Sequence, residues 1–502
     1  MEKYILYLFF CPFVLYWKQR WRDTRMKDIY LTNYSVNGIK TLDKTVSLSF
    51  YKKTINKEPD TQEYNIKGIY GMNGSGKSGI VTSVEILRNL IIDTGYLNNP
   101  VAQKHLDAIV NKKVGELSIE AEFIAKSGAQ LILFQYGITL SKNKAGKFTI
   151  SHECLKEKNA TSKNSSLEII YEICDGEIIF MYGLEEENGF VVEIRNKTMN
   201  LLTTGSACAL IYVNMLYSGD GNYSFYREDK VVRVIMNAIS VLFSFGHKLH
   251  VYLDESDDHK PYMIQNTILS CDDVDSQNAK LYSLIGNIFE LQNENINVIF
   301  SNRNMIAKPR LDKFIETINK LYEFLHIFKS DLMGIEIDKK ENGDFWMCDL
   351  VMVYDSYKIH AEFESTGIKK LIKLFVYVRE MVRGGIVFID EFDSNLHDVY
   401  LCALLEYLME YGEGQLCFTT HNVGPMDVLK QHKKSIDFLS EDHQIYPWKT
   451  NGNYSPSKLY RNGMIEGSPF NVDAIDFIGV FGTGDEDTKR HETQNTKING
   501  II

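Results

Sequence analysis

"IKGIYGMNGSGKSGIV", residues 66–81, sets a short apolar strand, a glycine-rich turn and the first turns of a helix in direct succession. Gly71 to Ser78 meets G-x-x-x-x-G-K-[ST] at every fixed position, and the physics of that pattern is specific. Glycines let backbone N–H groups close round phosphate oxygens, and the helix that follows aims its N-terminus at them. Asn73, Gly74, Ser75, Gly76 and Gly79 would shape the cradle, Lys77 would reach the outer phosphates, and Ser78 would hold Mg²⁺ through its hydroxyl. The order strand, glycine turn, helix is the context such a cradle requires.

Working outward, "GGIVFIDE" (384–391) reads as a buried parallel strand, Ile386 to Ile389, that delivers two acids at its end. Asp390 is the candidate metal residue and Glu391 the candidate general base for an attacking water. "CFTTHN" (417–422) is another apolar strand, ending at His421 in the position of a γ-phosphate sensor. In "FESTGIKKLIKLF", Ser365 and Gly367 precede a helix with Ile368, Leu371, Ile372 and Phe375 on one face. That helix start can bind an anion through the Ser hydroxyl, the Gly backbone and the helix N-terminus.

The remaining sequence divides by periodicity. Between 115 and 215, "ELSIEAEFIA", "AQLILFQYGITL", "KFTISHECL", "LEIIYEI" and "FVVEIR" alternate and are separated by turn residues, as in an antiparallel meander. From 227 to 332 the pattern is mainly helical, without a sustained heptad. Strand patterns return at "LMGIEID", "WMCDLVMVY" and "KIHAEFE". The expected organisation is therefore an N-terminal extension (1–25), the first part of a head (26–225), a helical insertion (226–332), the second part of the head (333–481) and a polar tail (482–502). Met26 is a candidate start, and the apolar run Tyr4–Trp17, at 14 residues, is shorter than a bilayer span.

Composition narrows the classes. The 502 residues, 44% of them hydrophobic, can bury a large core. A formal charge of -11, from 66 acidic and 55 basic side chains, argues against non-specific coating of nucleic acid. The eight cysteines, Cys11, Cys154, Cys174, Cys208, Cys271, Cys348, Cys402 and Cys417, lack a C-x-x-C pair. Their spacing supports neither zinc nor disulfides and suits reduced thiols of a cytoplasmic protein. The acidic stretch 254–258 reads as a solvated loop.

Taken together, "GMNGSGKS", "ESTG", "IVFIDE", "DSNLH" and "TTHN" resemble, in content and order, the head of ABC-type ATPases. More narrowly the chain looks like the AAA-family ATPases of prokaryotic anti-phage defence: the ATPase half of OLD nucleases, the Septu ATPase, and the ATPases of the PARIS and AbiL abortive-infection pairs. The resemblance covers about 26–85 and 330–425. It implies an α/β fold, a P-loop head of mixed sheet and flanking helices with an antiparallel β subdomain and an inserted helical domain. It also implies ATP and Mg²⁺ as cofactors and a homo-oligomer in which Lys77 and Ser78 of one copy face Ser365 and Gly367 of another. A phage-derived trigger and a separately encoded nuclease effector would be its partners, with no membrane role. About 80 residues follow His421, too few for a Toprim nuclease as well as the rest of the head. Three departures stand out: the signature lacks the full L-S-G-G-Q, His397 stands where many ABC heads carry the D-loop Asp, and Gln135 cannot be assigned as the Q-loop residue. An SMC-like DNA-repair or DNA-tethering ATPase is the alternative, and would show a heptad-rich arm and basic head surfaces. A transporter subunit is weakened by the degenerate signature and the large insertion.

Overall fold

A computed structural model of the chain describes residues 29–57, 59–127, 130–162, 164–183, 189–199, 201–217, 229–253, 299–449 and 454–468. The expectations for 1–25, 254–258 and 482–502 fall outside these residues, as do Cys11 and Cys271.

In chain order, β1 (Ile29–Asn37) and β2 (Val46–Ser49) precede β3 (Ile66–Gly71), which runs into the glycine turn and α1 (Lys77–Ile92). After α2 (Pro100–Ile109) comes the meander β4 (Glu116–Ser127), β5 (Gln130–Lys142), β6 (Phe148–Asn159), β7 (Glu168–Cys174) and β8 (Glu177–Met181). Helices α3 (Gly189–Met199), α4 (Ala207–Tyr217) and α5 (Lys230–Lys248) then lead to β9 (Leu249–Tyr252). Next are β10 (Asn304–Ala307), α6 (Leu311–Phe328), β11 (Gly334–Asn342), β12 (Phe345–Val353), β13 (Lys358–His360) and α7 (Thr366–Val382). The last described part holds β14 (Ile386–Ile389), α8 (Asp398–Tyr411), β15 (Gln415–Thr419), α9 (Gly424–Leu429), β16 (Ile436–Leu439), β17 (Ile445–Pro447) and α10 (Pro456–Arg461).

Among the described residues the strands form three sheets. The six-stranded sheet runs β17-β16-β3-β15-β14-β9, parallel throughout except for β17. Its strand β14, IVFI, is a continuous and fully buried apolar run because both faces are covered. On one face lie α1 and α5, and beyond them the seven-stranded antiparallel sheet β2-β1-β4-β5-β6-β7-β8. Every residue of α1 but Ser78 and Arg88 is buried, which explains why its apolar positions run all round the helix. The rings of Phe123 on β4 and Phe245 on α5 stack at 4.1 Å. Gln415 on β15 ties the two sheets together: it accepts from the Leu31 N–H at 2.7 Å and donates to the Leu31 carbonyl at 2.9 Å.

On the other face α8, α9 and one side of α7 cover the parallel sheet through Leu374, Val378, Met381, Leu401, Leu405 and Leu408. The opposite side of α7 presents Ile368, Leu371, Ile372 and Phe375 to a separate core, made with α6 and the small sheet of β10–β13. Helix α7 is thus shared between two apolar cores.

Two stretches differ from their sequence patterns. "FVVEIR" is helical, within α3: Val191, Ile194 and Thr198 are its buried positions, and six residues satisfy a period of 2 and of 3.6 alike. The segment 226–332 is not helical throughout, since β9 enters the parallel sheet beside β14 and β10 pairs with β12 in the small sheet, on which α6 packs. Helix α5 is long and apolar enough to cross a bilayer by length and composition, and 72% of its most apolar window is buried inside the protein.

Candidate functional site

The C-terminal ends of β3, β14 and β15 lie side by side, where ligands of parallel α/β sheets are bound. From β3 the chain turns through Gly74 (φ +80°) and Gly76 (φ +104°), conformations that favour glycine. A Cβ on Gly76 would stand 2.4 Å from Leu42 Cδ2, and one on Gly71 would stand 2.4 Å from the Leu439 carbonyl. The back of the turn is therefore packed, while Asn73 and Gly74 are exposed at its tip. Among the described residues no side chain caps α1; the Gly79 and Ile80 N–H groups donate to the Gly76 carbonyl, at 2.9 and 3.3 Å, which leaves those of Lys77 and Ser78 for an anion. Ser75 is buried, and its hydroxyl has no hydrogen-bond partner among the described residues. Ser78 is half-buried in the first helical turn, and Gly79 packs against Ile39.

Lys77 is buried, its ammonium donating to the carbonyls of Gly71 (2.8 Å) and Met72 (2.9 Å). Loss of water lowers its pKa to about 8, against the pull of Asp390, Glu391 and Asp393. Asp390, also buried, accepts from Thr419 Oγ1 at 2.5 Å. The same Thr419 oxygen accepts from the Glu391 N–H at 2.8 Å, so one hydroxyl at the end of β15 orients both acids. Glu391 itself is exposed and has φ +48°, an uncommon conformation for a residue with a side chain. Its carbonyl accepts from the buried Lys370 of α7, which also donates to Ser394.

His421 is exposed at the edge of this group. Partial loss of water and the charge of Lys77 lower its pKa, while Asp393, Glu391 and Asp390 act in the opposite sense. The charges of Lys77, the three acids and His421 thus share one field.

Ser365 caps α7 by accepting from the Ile368 N–H at 3.3 Å. Thr366 Oγ1 donates to Asn395 Oδ1 at 3.3 Å, and a Cβ on Gly367 would stand 2.7 Å from the Asn395 carbonyl. The "ESTG" start is therefore packed against the "DSNLH" loop of its own chain, and His397 in that loop caps α8. Gln135 lies elsewhere, on β5, lining a cleft of about 400 Å³ on the outer face of the antiparallel sheet.

Several residues of the site escaped the sequence reading. Thr419 and Lys370 sit at unremarkable positions in a strand and a helix. The loop from β1 to β2 leans on the glycine turn, with Thr41 Oγ1 donating to the Gly74 carbonyl at 3.3 Å and Leu42 filling the notch behind Gly76. Lys40 on that loop has φ +50°; loss of water lowers its pKa, and the charges of Asp390 and Glu85 raise it. The one available signal was the turn "NGIKTL" after the first strand. Asp393 contributes a buried carboxylate oxygen with no hydrogen-bond partner among the described residues.

The orphaned Ser75 hydroxyl, the uncapped helix start and the buried ammonium fit a polyphosphate. The carboxylate of Asp390, whose charge acts on Lys77, supplies the oxygen donors that a hard divalent cation prefers. No family model matches the chain. A search of curated proteins finds similarity to "Retron Vc95 probable ATPase" from Vibrio cholerae serotype O1 biovar El Tor, 23% identical over 439 residues, covering 84% of this chain and 78% of that protein.

Proposed function

We propose that the chain is an ATP-binding and ATP-hydrolysing ABC-type ATPase that works as the sensor or scaffold subunit of an anti-phage system. The observation that carries the proposal is the gathering of Lys77, Asp390, Glu391 and His421 in one electrostatic field at the ends of three parallel strands. In this reading the parallel sheet with α1 is the P-loop head, the seven-stranded sheet its β subdomain, and the β10–β13 and α6 module the insertion. The similarity to a probable ATPase of a retron supports both the chemistry and the defence setting.

Lys77 and the N–H groups opening α1 bind the phosphates, and Ser78 and Asp390 hold the metal. Bound Mg²⁺ supplies charge neutralisation on the phosphate oxygens. Glu391, presented by its left-handed backbone, takes a proton from the attacking water. His421 reads the γ-phosphate. Ser365 and Gly367 of a second copy close the site, so turnover depends on oligomerisation, and closure is transmitted to a separately encoded nuclease in the cytoplasm.

Lys77→Ala is expected to abolish nucleotide binding. Glu391→Gln is expected to keep binding while hydrolysis falls by about 10²-fold or more, the scale of a lost general base. Both are read by fluorescent-nucleotide titration and phosphate release. Hydrolysis by Glu391→Gln at the wild-type rate would remove Glu391 from its role.

A further inference from the structure

The pairing of β6 with β7 assembles a cluster that the linear spacing of cysteines does not reveal. "HEC" (152–154) lies on β6 and "EIC" (172–174) on β7. The strands are antiparallel and in register, His152 opposite Cys174 and Cys154 opposite Glu172. Because side chains alternate along a strand, the central residues Glu153 and Ile173 point into the core, where both are buried. His152, Cys154, Glu172 and Cys174 accordingly share the outer face of the sheet.

On that face His152 Nε2 lies 3.1 Å from Glu172 Oε1. One ligand atom each of His152, Glu172 and Cys174 lies within 4.8 Å of the other two. We propose that His152, Glu172 and Cys174 form a Zn²⁺ site that clips β6 to β7, with water in the fourth position.

Three arguments support zinc. A thiolate, an imidazole and a carboxylate are its usual donors, whereas Mg²⁺ and Ca²⁺ prefer oxygen alone. With bonds of about 2.0–2.3 Å, ligand atoms round a tetrahedral zinc stand about 3.3–3.8 Å apart, so the side chains need shift by only about 1 Å. Lys156, a cation on the same face, stands two positions along β6 beyond Cys154, away from His152 and Cys174. Binding replaces the Cys174 thiol proton, released to solvent, with an S–Zn bond.

The test is a Co²⁺ titration of the metal-stripped full-length chain in excess Mg²⁺, which occupies the oxygen-rich nucleotide site. The expected result is a thiolate-to-cobalt charge-transfer band saturating at one Co²⁺ per chain and displaced by Zn²⁺. Cys174→Ser should lose the band, and His152→Gln should weaken Zn²⁺ binding by at least about tenfold, since even supporting groups round a metal change affinity on that scale. Cys402→Ser, on α8, should keep both. Circular dichroism checks that each variant is folded. Absence of the band in the wild-type chain would leave an ordinary hydrogen-bonded His–Glu pair and overturn the proposal whatever the variants do. Persistence of the band in folded Cys174→Ser would overturn it equally.

Discussion

At Lys77 two influences on one ammonium oppose each other: loss of water favours the neutral amine, and three carboxylates favour the cation. The outcome is a pKa of about 8 in place of 10.5. Below that value the lysine is charged and attracts phosphate; above it the free protein must take up a proton to bind, which weakens affinity. We therefore expect ATP affinity to fall as pH rises through about 8, by at most about tenfold per pH unit, the limit for one linked proton. Nucleotide titrations between pH 6.5 and 9.5 measure this. An affinity flat across that range would mean that Lys77 keeps its full charge or does not meet the phosphates. The residues named in advance here were those whose chemistry comes with a fixed spacing. Thr419 and Lys370 could not be named, because their importance lies in the Asp390 carboxylate and the Glu391 backbone that they hold, and those contacts form only after β15 and α7 dock.

At the scale of elements, the join between the antiparallel sheet and the helices depends on Glu153. Its carboxylate, buried on β6, accepts from Tyr136 (3.0 Å), Tyr171 (2.7 Å), and the Ala207 (2.8 Å) and Cys208 (3.2 Å) N–H groups at the start of α4. Burial raises its pKa, and all four of these hydrogen bonds act in the opposite sense. Glu153→Ala leaves four buried donors without an acceptor, and we expect a loss of about 2–5 kcal/mol, read as a lower urea midpoint. An unchanged midpoint would mean that α4 is anchored by other contacts. In the sequence Glu153 was one polar letter inside an alternating strand. Its partners lie 17 to 55 residues away, so no local pattern could mark it. The same limit hid β9, whose four residues are too few to show a period and are recognisable as strand only beside β14. Long strands such as β5 and glycine-bounded units such as β3 with α1 were legible, because their signals are contained within the elements themselves.

For the whole molecule, the arrangement of "ESTG" leads to a prediction about assembly. The start of α7 is packed on Asn395 of its own chain, and α7 is buried on two sides by separate cores, so Ser365 and Gly367 are presented by a braced helix. In the proposed assembly that helix start completes the glycine turn of a second copy. A two-fold dimer would then hold two equivalent sites, each drawing Lys77 from one chain and Ser365 from the other. Lys77→Ala and Ser365→Arg should each be inactive alone. Mixed in equal amounts, half the dimers pair one variant with the other, and each mixed dimer has one site with both defects and one with neither. If the sites turn over independently, about a quarter of the wild-type ATPase rate should return, from the statistics of a symmetric dimer. Were Ser365 to act within its own chain, every site in the mixture would carry a defect and no activity would return. Phosphate release from the mixture, against each variant alone, separates the two arrangements.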